Sequence, residues 1–212
     1  MKKKLYLGLG FLATFVLWTV LVCLVDVQSI GPQGSSVGFG GMNSFAHSLT
    51  GVHWSLYTIT DWLGLVPIAM MLGFAVLGLI QWIRRKRLSL VDRSLLALGG
   101  FYIAVAAVFL FFEIVVVNTR PVLIGGVLEA SYPSSTTMLS MCVVPTAMMQ
   151  LRERMRAGYV RRILLLLLGA FAALMVVLRL ISGVHWLSDI LGGALLSAGL
   201  VTIYAALTDQ KR

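Results

Sequence analysis

The residues of this chain best suited to chemistry stand near its C-terminal end. His185 and Asp189 are four positions apart, which is about one turn of a helix. An aspartate at that spacing can accept a hydrogen bond from one imidazole nitrogen and leave the other free as a nucleophile or base. Because Arg179 lies six positions before His185, and arginine matches phosphate geometry, this pattern favours a functional pair over a buried structural one.

Two further segments contain residues that suit an anion. Arg120 follows Glu113 by seven positions, and two helical turns would place both on one face of a helix. The segment Pro133-Ser134-Ser135-Thr136 has the composition of a helix start, with proline and hydroxyl side chains. A helix start presents free N–H groups to an anion, although simple capping explains the same composition.

The charge distribution sets Arg120 and Arg179 apart. Lysine and arginine number 17 against 8 acids, which gives a net charge of +9. Arg120 and Arg179 fall at outer ends of predicted membrane helices, where a charge is costly and indicates a functional site. The alternatives are snorkelling to lipid or an ion pair with Glu113 or Asp189. The other fifteen lysines and arginines fall in four clusters, at residues 2–4, 84–93, 152–162 and 211–212. Such clusters are typical topology signals of membrane proteins, and they need no nucleic-acid partner to explain them.

The elements that must position these residues are membrane helices. The chain has 212 residues, of which 59% are hydrophobic and 12% charged, whereas soluble domains are about 25% charged. A bilayer core needs roughly 20 apolar residues per helix. We therefore predict an all-α integral membrane protein: a six-helix bundle forming one domain over residues 1–212, with both termini in the cytoplasm. The predicted spans are residues 5–25, 63–83, 94–117, 135–151, 163–181 and 186–207.

Residues 26–62 form the longest predicted outer segment. Glycine, serine and proline indicate a loop in its first part, and the aromatic residues of its second part predict an amphipathic stretch in the membrane interface. His53 lies on that stretch, within Gly51-Val52-His53-Trp54, which repeats as Gly183-Val184-His185-Trp186. A match of four residues in a chain of this length is interpreted as chance.

The three chemical segments together resemble the motifs of the type-2 phosphatidic acid phosphatase family, which is related to vanadium haloperoxidases. The family motifs are Lys-x6-Arg-Pro, Pro-Ser-Gly-His and Ser-Arg-x5-His-x3-Asp. The order, the spacings and the six-span layout agree. The resemblance covers about residues 113–193, within a family-like core of about residues 94–207. The matching segments are Glu113-x6-Arg120-Pro121, Pro133-Ser134-Ser135-Thr136 and Leu178-Arg179-x5-His185-x3-Asp189.

The resemblance implies a role for each matching residue. His185 resembles the nucleophile that forms a phosphohistidine, and Asp189 resembles the residue that orients it. No metal and no other cofactor is expected. The phosphate is expected to lie against two arginines and two serines, Arg120, Arg179, Ser134 and Ser135.

Three positions differ from the family pattern. Leu178 replaces a serine, which is a minor change. Glu113 stands where the family has a lysine, so a phosphate-binding cation is exchanged for an acid. Thr136 stands where the family has the histidine that protonates the leaving group. General acid catalysis contributes about 10²–10⁴-fold, and its loss should affect phosphomonoesters most, because an alkoxide is a poor leaving group.

These differences leave three hypotheses open. In the first, the substrate is a lipid diphosphate such as undecaprenyl diphosphate, whose leaving phosphate has a last pKa of about 6 and needs no proton donor. In the second, Glu113 or His53 supplies the proton, although a plain ion pair of Glu113 with Arg120 is the simpler interpretation. In the third, the protein is no catalyst and binds or moves a phosphorylated lipid.

The intact His185 and Asp189 favour a lipid phosphatase or phosphotransferase, because binding alone does not need them. The resemblance implies a bacterial plasma membrane. The apolar runs predict a multi-pass protein, and the basic clusters predict that its site faces outside. Its expected partners are the bilayer and a phosphorylated lipid. The sequence leaves the lipid, the acceptor and the oligomeric state open.

Overall fold

The structure is a computed structural model that describes residues 2–209. These residues form eight α-helices and two short 3₁₀ helices, and their only β-structure consists of isolated bridges. Helical structure therefore positions every candidate residue. The helices are α1 (Lys2–Leu24), α2 (Gly40–Thr50), α3 (Trp54–Leu63), α4 (Leu65–Arg85), α5 (Arg93–Ile114), α6 (Ser135–Arg154), α7 (Tyr159–Ile181) and α8 (Leu187–Thr208).

Five helical stretches within residues 2–209 are long and apolar enough to cross a membrane. They are α1, the nearly continuous α3 and α4, α5, α7 and α8. The 22 residues of α8 extend about 33 Å at a rise of about 1.5 Å per residue, which is close to the thickness of a hydrocarbon core. The chain is therefore a multi-pass membrane protein.

The sixth long helix, α6, differs from the other five because it faces protein. It packs against α4, α5, α7 and α8, and nine of its 20 residues are buried. Hydroxyl and amide side chains such as Thr146 and Gln150 are tolerated there because they form hydrogen bonds inside the bundle. The fourth predicted span is thus a central helix. The six-span topology and the cytoplasmic position of the termini stay predictions.

Two helix boundaries correct the sequence analysis. Because α5 ends at Ile114, the prediction that Glu113 and Arg120 share one face of a helix is wrong. The β-branched run of residues 115–117, followed by an asparagine and a proline, favours a loop there. His185 likewise precedes α8, which begins at Leu187, so its spacing to Asp189 belongs to a helix cap and not to a helical turn.

The segment between α1 and α4 contains the two short helices α2 and α3. The predicted interfacial stretch thus has a break at Gly51, where φ is +64°. The α2 helix packs against α8, and α3 packs against α7. This segment consequently lies against the two helices that flank His185.

Tight packing between α1 and α8 fixes the start of α8. A Cβ atom added at Gly8 would lie 2.7 Å from the Ile203 side chain, and one at Gly199 would lie 2.6 Å from Leu12. Small residues of this kind let membrane helices approach closely. At the far end of α1, the indole N–H of Trp18 donates to the carbonyl oxygen of Ser188 at 3.1 Å, so α1 also holds the first turn of α8.

Candidate active site

The imidazole of His185 lies between an acceptor and a donor. Its Nδ1 is 3.1 Å from the carbonyl oxygen of Ser131, and its Nε2 is 3.2 Å from Nη1 of Arg120. A carbonyl oxygen only accepts hydrogen bonds, and a guanidinium only donates them. Nδ1 therefore carries the proton, and Nε2 presents its lone pair towards Arg120.

Burial keeps this imidazole neutral. His185 is 3% exposed, and its removal from water lowers its pKa to about 4. The nearby carboxylate of Asp189 opposes this shift, while the charges of Arg120 and Arg179 add to it. The ring is thus in its nucleophilic form at neutral pH.

Asp189 is fully buried and caps the start of α8. Its Oδ2 accepts from the backbone N–H of Trp186 at 2.9 Å, and its Oδ1 accepts from Nδ2 of Asn118 at 3.1 Å. The distance from Oδ2 to Nδ1 of His185 is 3.7 Å, which is too long for a hydrogen bond. The direct bond predicted from the sequence is therefore replaced by the one to Ser131, and Asp189 acts on the ring through its charge.

Asn118 is a site residue that the sequence analysis did not single out. It is 1% exposed, and besides Asp189 it donates to the hydroxyl of Ser188 at 3.2 Å. Its Oδ1 accepts from the backbone N–H of Gly38 at 3.2 Å. Asn118 thereby joins the loop after α5 to the start of α8 and to the segment after α1. The signal in the sequence was an asparagine directly after a long apolar run, two positions before Arg120.

Arg179, in the last turn of α7, is held by residues of α3. Its Nη1 lies 3.0 Å from the hydroxyl of Thr60 and 3.0 Å from Oδ1 of Asp61. Its guanidinium carbon lies 4.9 Å from the ring centre of Tyr57, a cation–π distance. Among residues 2–209, the Nε of Arg179 has no hydrogen-bond partner. The segment predicted to lie in the interface therefore contributes directly to the site.

Arg120 pairs with an acid of its own loop. The distance from its Nε to Oε2 of Glu129 is 2.9 Å, and the backbone N–H of Arg120 donates to the carbonyl oxygen of Glu129 at 3.0 Å. The predicted ion pair with Glu113 is wrong, because the loop folds back on itself after α5. Pairing of either arginine with Asp189 is also wrong. Asp61 and Glu129, the observed partners, are 48% and 42% exposed.

The first turn of α6 lies beside His185. Ser134 donates its backbone N–H to the carbonyl oxygen of Asp189 at 3.1 Å, and its buried hydroxyl has no partner within residues 2–209. Ser135 lines a pocket of about 10 Å³ that also contains His185, room for about one water molecule. The backbone N–H groups of residues 135–137 find no acceptor in the described part of the chain, so a helix start faces this pocket.

Two positions differ from the family motifs, Glu113 and Thr136, and His53 was suggested as a substitute proton donor. These three residues are separated in space. Glu113 lines the pocket that contains His185. Thr136 is partly buried in the first turn of α6 and is not part of that pocket wall. His53 is exposed, and its Nε2 lies 2.8 Å from the carbonyl oxygen of Thr50. Of the two proton donors suggested by the sequence, the structure thus brings only Glu113 to the pocket.

The two Gly-Val-His-Trp sequences pack against each other. The backbone N–H of His53 donates to the carbonyl oxygen of Ser182 at 3.0 Å. Both glycines have positive φ, +64° at Gly51 and +69° at Gly183, and each copy leads into a helix. The first copy therefore supports the turn that holds His185.

The C-terminal part of the chain matches a family model. Residues 116–212 match the PAP2 superfamily, and this range includes Arg120, Ser134, Arg179 and His185. This match supports the resemblance found in the motifs.

The fold as a whole also has a solved counterpart. The chain is similar to the crystal structure of a transmembrane PAP2-type phosphatidylglycerolphosphate phosphatase from Bacillus subtilis, with a TM-score of 0.62 over 97% of each chain. The two sequences are 16% identical, so this likeness shows a common fold. No curated protein sequence matches the chain.

We expect the buried His185 to make the protein less stable in acid. Its pKa is about 4 in the folded protein against 6.5 for an unperturbed histidine, so the unfolded chain binds the proton first. Stability from this group is therefore complete above pH 6.5 and falls as the pH drops towards 4. The loss between pH 6.5 and pH 5 is about 2 kcal/mol.

Thermal unfolding in detergent at a series of pH values measures this effect. The His185→Gln variant keeps a polar group of similar size and has no proton to bind. Its midpoint should change less between pH 6.5 and pH 5 than that of the unsubstituted protein. The same pH dependence in both proteins would contradict the assignment to His185.

Proposed function

We propose that the protein is a phosphatase or phosphotransferase for phosphorylated membrane lipids, with His185 as its nucleophile. The observation that carries this proposal is the position of the Nε2 lone pair, 3.2 Å from the guanidinium of Arg120. A phosphate bound by this arginine would have its phosphorus next to the lone pair. The match of residues 116–212 to the PAP2 superfamily and the fold shared with a lipid phosphatase support the same reaction.

In the proposed reaction, a phosphate group takes the place of Asp61 and Glu129 on the two arginines. The hydrogen bond from Arg120 to Nε2 of His185 opens as Arg120 binds the phosphate. Nε2 then attacks the phosphorus, so that an N–P bond forms and the bond to the leaving oxygen breaks. The ring becomes a cation while Nδ1 keeps its proton, and the Ser131 carbonyl and the charge of Asp189 stabilise it. Water then attacks the phosphorus and gives its proton to solvent. The N–P bond breaks, and phosphate is released.

The residue at position 136 bears on the choice of substrate. Thr136 cannot protonate a leaving alkoxide, whereas a leaving phosphate has a last pKa of about 6 and departs as an anion. A lipid diphosphate, of which undecaprenyl diphosphate is one, therefore fits this site best. Glu113 lines the pocket of His185 and is the remaining candidate for a proton donor to the alkoxide of a monoester.

The basic clusters support an outward-facing site. They lie at the start of α1, between α4 and α5, and between α6 and α7, which is the end of the bundle opposite His185. The positive-inside rule assigns that end to the cytoplasm. We infer six spans in a bacterial plasma membrane, with both termini inside and His185 at the outer face.

Phosphate release by the purified full-length protein in detergent tests the proposed function. The substrates are undecaprenyl diphosphate, phosphatidylglycerolphosphate and phosphatidic acid. We expect release from the diphosphate to be fastest. If no substrate releases more phosphate than heat-denatured protein does, the proposal is wrong, and the chain is a binding or transport protein for a phosphorylated lipid.

We expect the variant Thr136→His to hydrolyse phosphatidic acid faster. A histidine in the first turn of α6 supplies the missing proton donor, whose contribution is on the order of 10²-fold or more. Hydrolysis of the diphosphate should change much less, because its leaving group needs no proton. The matched control is Thr58→His, which places the same side chain at an exposed position of α3, whereas residue 136 directly follows Ser135, a residue of the pocket wall. Slower hydrolysis of both substrates by Thr136→His would contradict this account.

A further inference from the structure

A second cleft lies at the end of the bundle opposite His185. It is formed by the first turns of α1 and α5 and the last turns of α6 and α8, and His185 lies near the other ends of these helices. Since α8 extends about 33 Å, roughly one bilayer core separates the cleft from the candidate active site. The cleft has a volume of about 750 Å³, which is within the range of small-molecule sites.

Buried polar side chains form the floor of this cleft. The side-chain amide of Gln150, which is 1% exposed, donates to the hydroxyl of Tyr204 at 2.6 Å and to the carbonyl oxygen of Ser94 at 3.3 Å. Arg154 donates to the amide oxygen of Gln150. The floor is therefore a bonded network that holds α5, α6 and α8 together and keeps the cleft open between them.

Two arginines at the rim have no acidic partner among residues 2–209. The acids that line the cleft are already engaged, Asp209 with Lys4 at 2.9 Å and Glu153 with Arg154 at 3.7 Å. Arg93 and Arg152 line the same cleft and are exposed. Neither of them forms an ion pair with any residue in the range 2–209. Two guanidinium groups thus remain for an anion.

We propose that this cleft binds a phosphate group, supplied by the headgroup of an anionic phospholipid in the adjacent leaflet. A guanidinium offers parallel N–H groups that match phosphate oxygens, and basic pockets between membrane helices bind acidic headgroups. The apolar wall formed by Met149 and Leu207 suits the glycerol and the first methylene groups of the lipid. The proposal does not depend on the proposed function, because no residue of the cleft belongs to the candidate active site.

Native mass spectrometry of the full-length protein tests this proposal. The protein is titrated with phosphatidylglycerol, with zwitterionic phosphatidylcholine as the comparison of zero net charge and with inorganic phosphate in a separate arm. We expect phosphatidylglycerol to bind and the double variant Arg93→Gln/Arg152→Gln to weaken its binding at least about tenfold, since hydrogen bonds to two charged groups are lost. Both positions are exposed, so the variant should fold.

The matched control is Arg84→Gln/Arg87→Gln, which removes the same charge from exposed positions at the same end of the bundle but outside the cleft. It should keep most of the phosphatidylglycerol binding. Equal weakening by both double variants would overturn the proposal and indicate general attraction to a basic surface, and so would unchanged binding in the cleft variant. Inorganic phosphate could also bind to the unsubstituted protein and bind more weakly to the cleft variant but not to the control. That result would support the site and identify free phosphate as its ligand.

Discussion

Replacing His185 with alanine is expected to abolish phosphate release from every lipid that the protein hydrolyses. The variant lacks the only imidazole nitrogen that lies beside Arg120 in the described part of the chain. Removing a nucleophile lowers turnover by about 10⁴-fold or more, so activity should fall to the level of denatured protein. Lipid binding should be affected less, because Arg120 and Arg179 remain.

Trapping the covalent intermediate gives a second measurement of the same prediction. A substrate labelled in its terminal phosphate is mixed with the protein, and the reaction is stopped with alkali, in which phosphohistidine survives. We expect label on the unsubstituted protein that is lost on acid treatment, and no label on His185→Ala. Label that survives in the variant would show that another residue is the nucleophile.

The chain offers its own matched control for this experiment. His53 occupies the same position in the first Gly-Val-His-Trp sequence, but its side chain is exposed and bonded to the carbonyl oxygen of Thr50. The variant His53→Ala should therefore keep its activity and its label. Equal losses in both variants would indicate damage to the contact between the two copies and would contradict a specific role for His185.

The sequence was sufficient to predict the long apolar helices, and it placed His185 and Arg120, which lie 3.2 Å apart, in one candidate site. Long apolar runs mark α1, α4, α5, α7 and α8, because a helix exposed to lipid has few other compositions open to it. The spacing around His185 and Arg179 pointed to one site, since family motifs fix residues that meet in space. These features are local in the chain and can therefore be found without a structure.

The partners of these residues depend on how loops fold back, which spacing does not reveal. The acceptor for Nδ1 of His185 is the backbone of Ser131, and a backbone carbonyl carries no signal in a sequence. Asp61 reaches Arg179 from α3, which is far away in the chain. Glu129 reaches Arg120 because residues 119 and 130 form an antiparallel bridge. An ion pair of Glu113 with Arg120 assumed an unbroken helix, and that helix ends at Ile114.

Replacing Gly183 with alanine is expected to disrupt the turn that carries His185. An added Cβ atom would lie 1.8 Å from the carbonyl oxygen of Gly51, and backbone atoms cannot move away as a flexible side chain can. The residue also has a φ of +69°, which costs an alanine about 1–2 kcal/mol. Together the clash and the strain should lower the free energy of unfolding by about 3 kcal/mol or more. Phosphate release should fall as well, because the support from the first Gly-Val-His-Trp sequence is displaced.

The control for this substitution is Gly126→Ala, which separates backbone strain from the clash. Gly126 has a φ of +83°, and no atom lies within 4 Å of its added Cβ. The free energy of unfolding of Gly126→Ala should therefore fall only by the backbone strain of about 1–2 kcal/mol, and this variant should keep its activity. Thermal midpoints in detergent and phosphate release compare the two variants directly. If Gly183→Ala is as stable as Gly126→Ala, the two repeats are not in the close contact that holds His185 against Ser131, and the proposed support of the nucleophile by the first repeat is wrong.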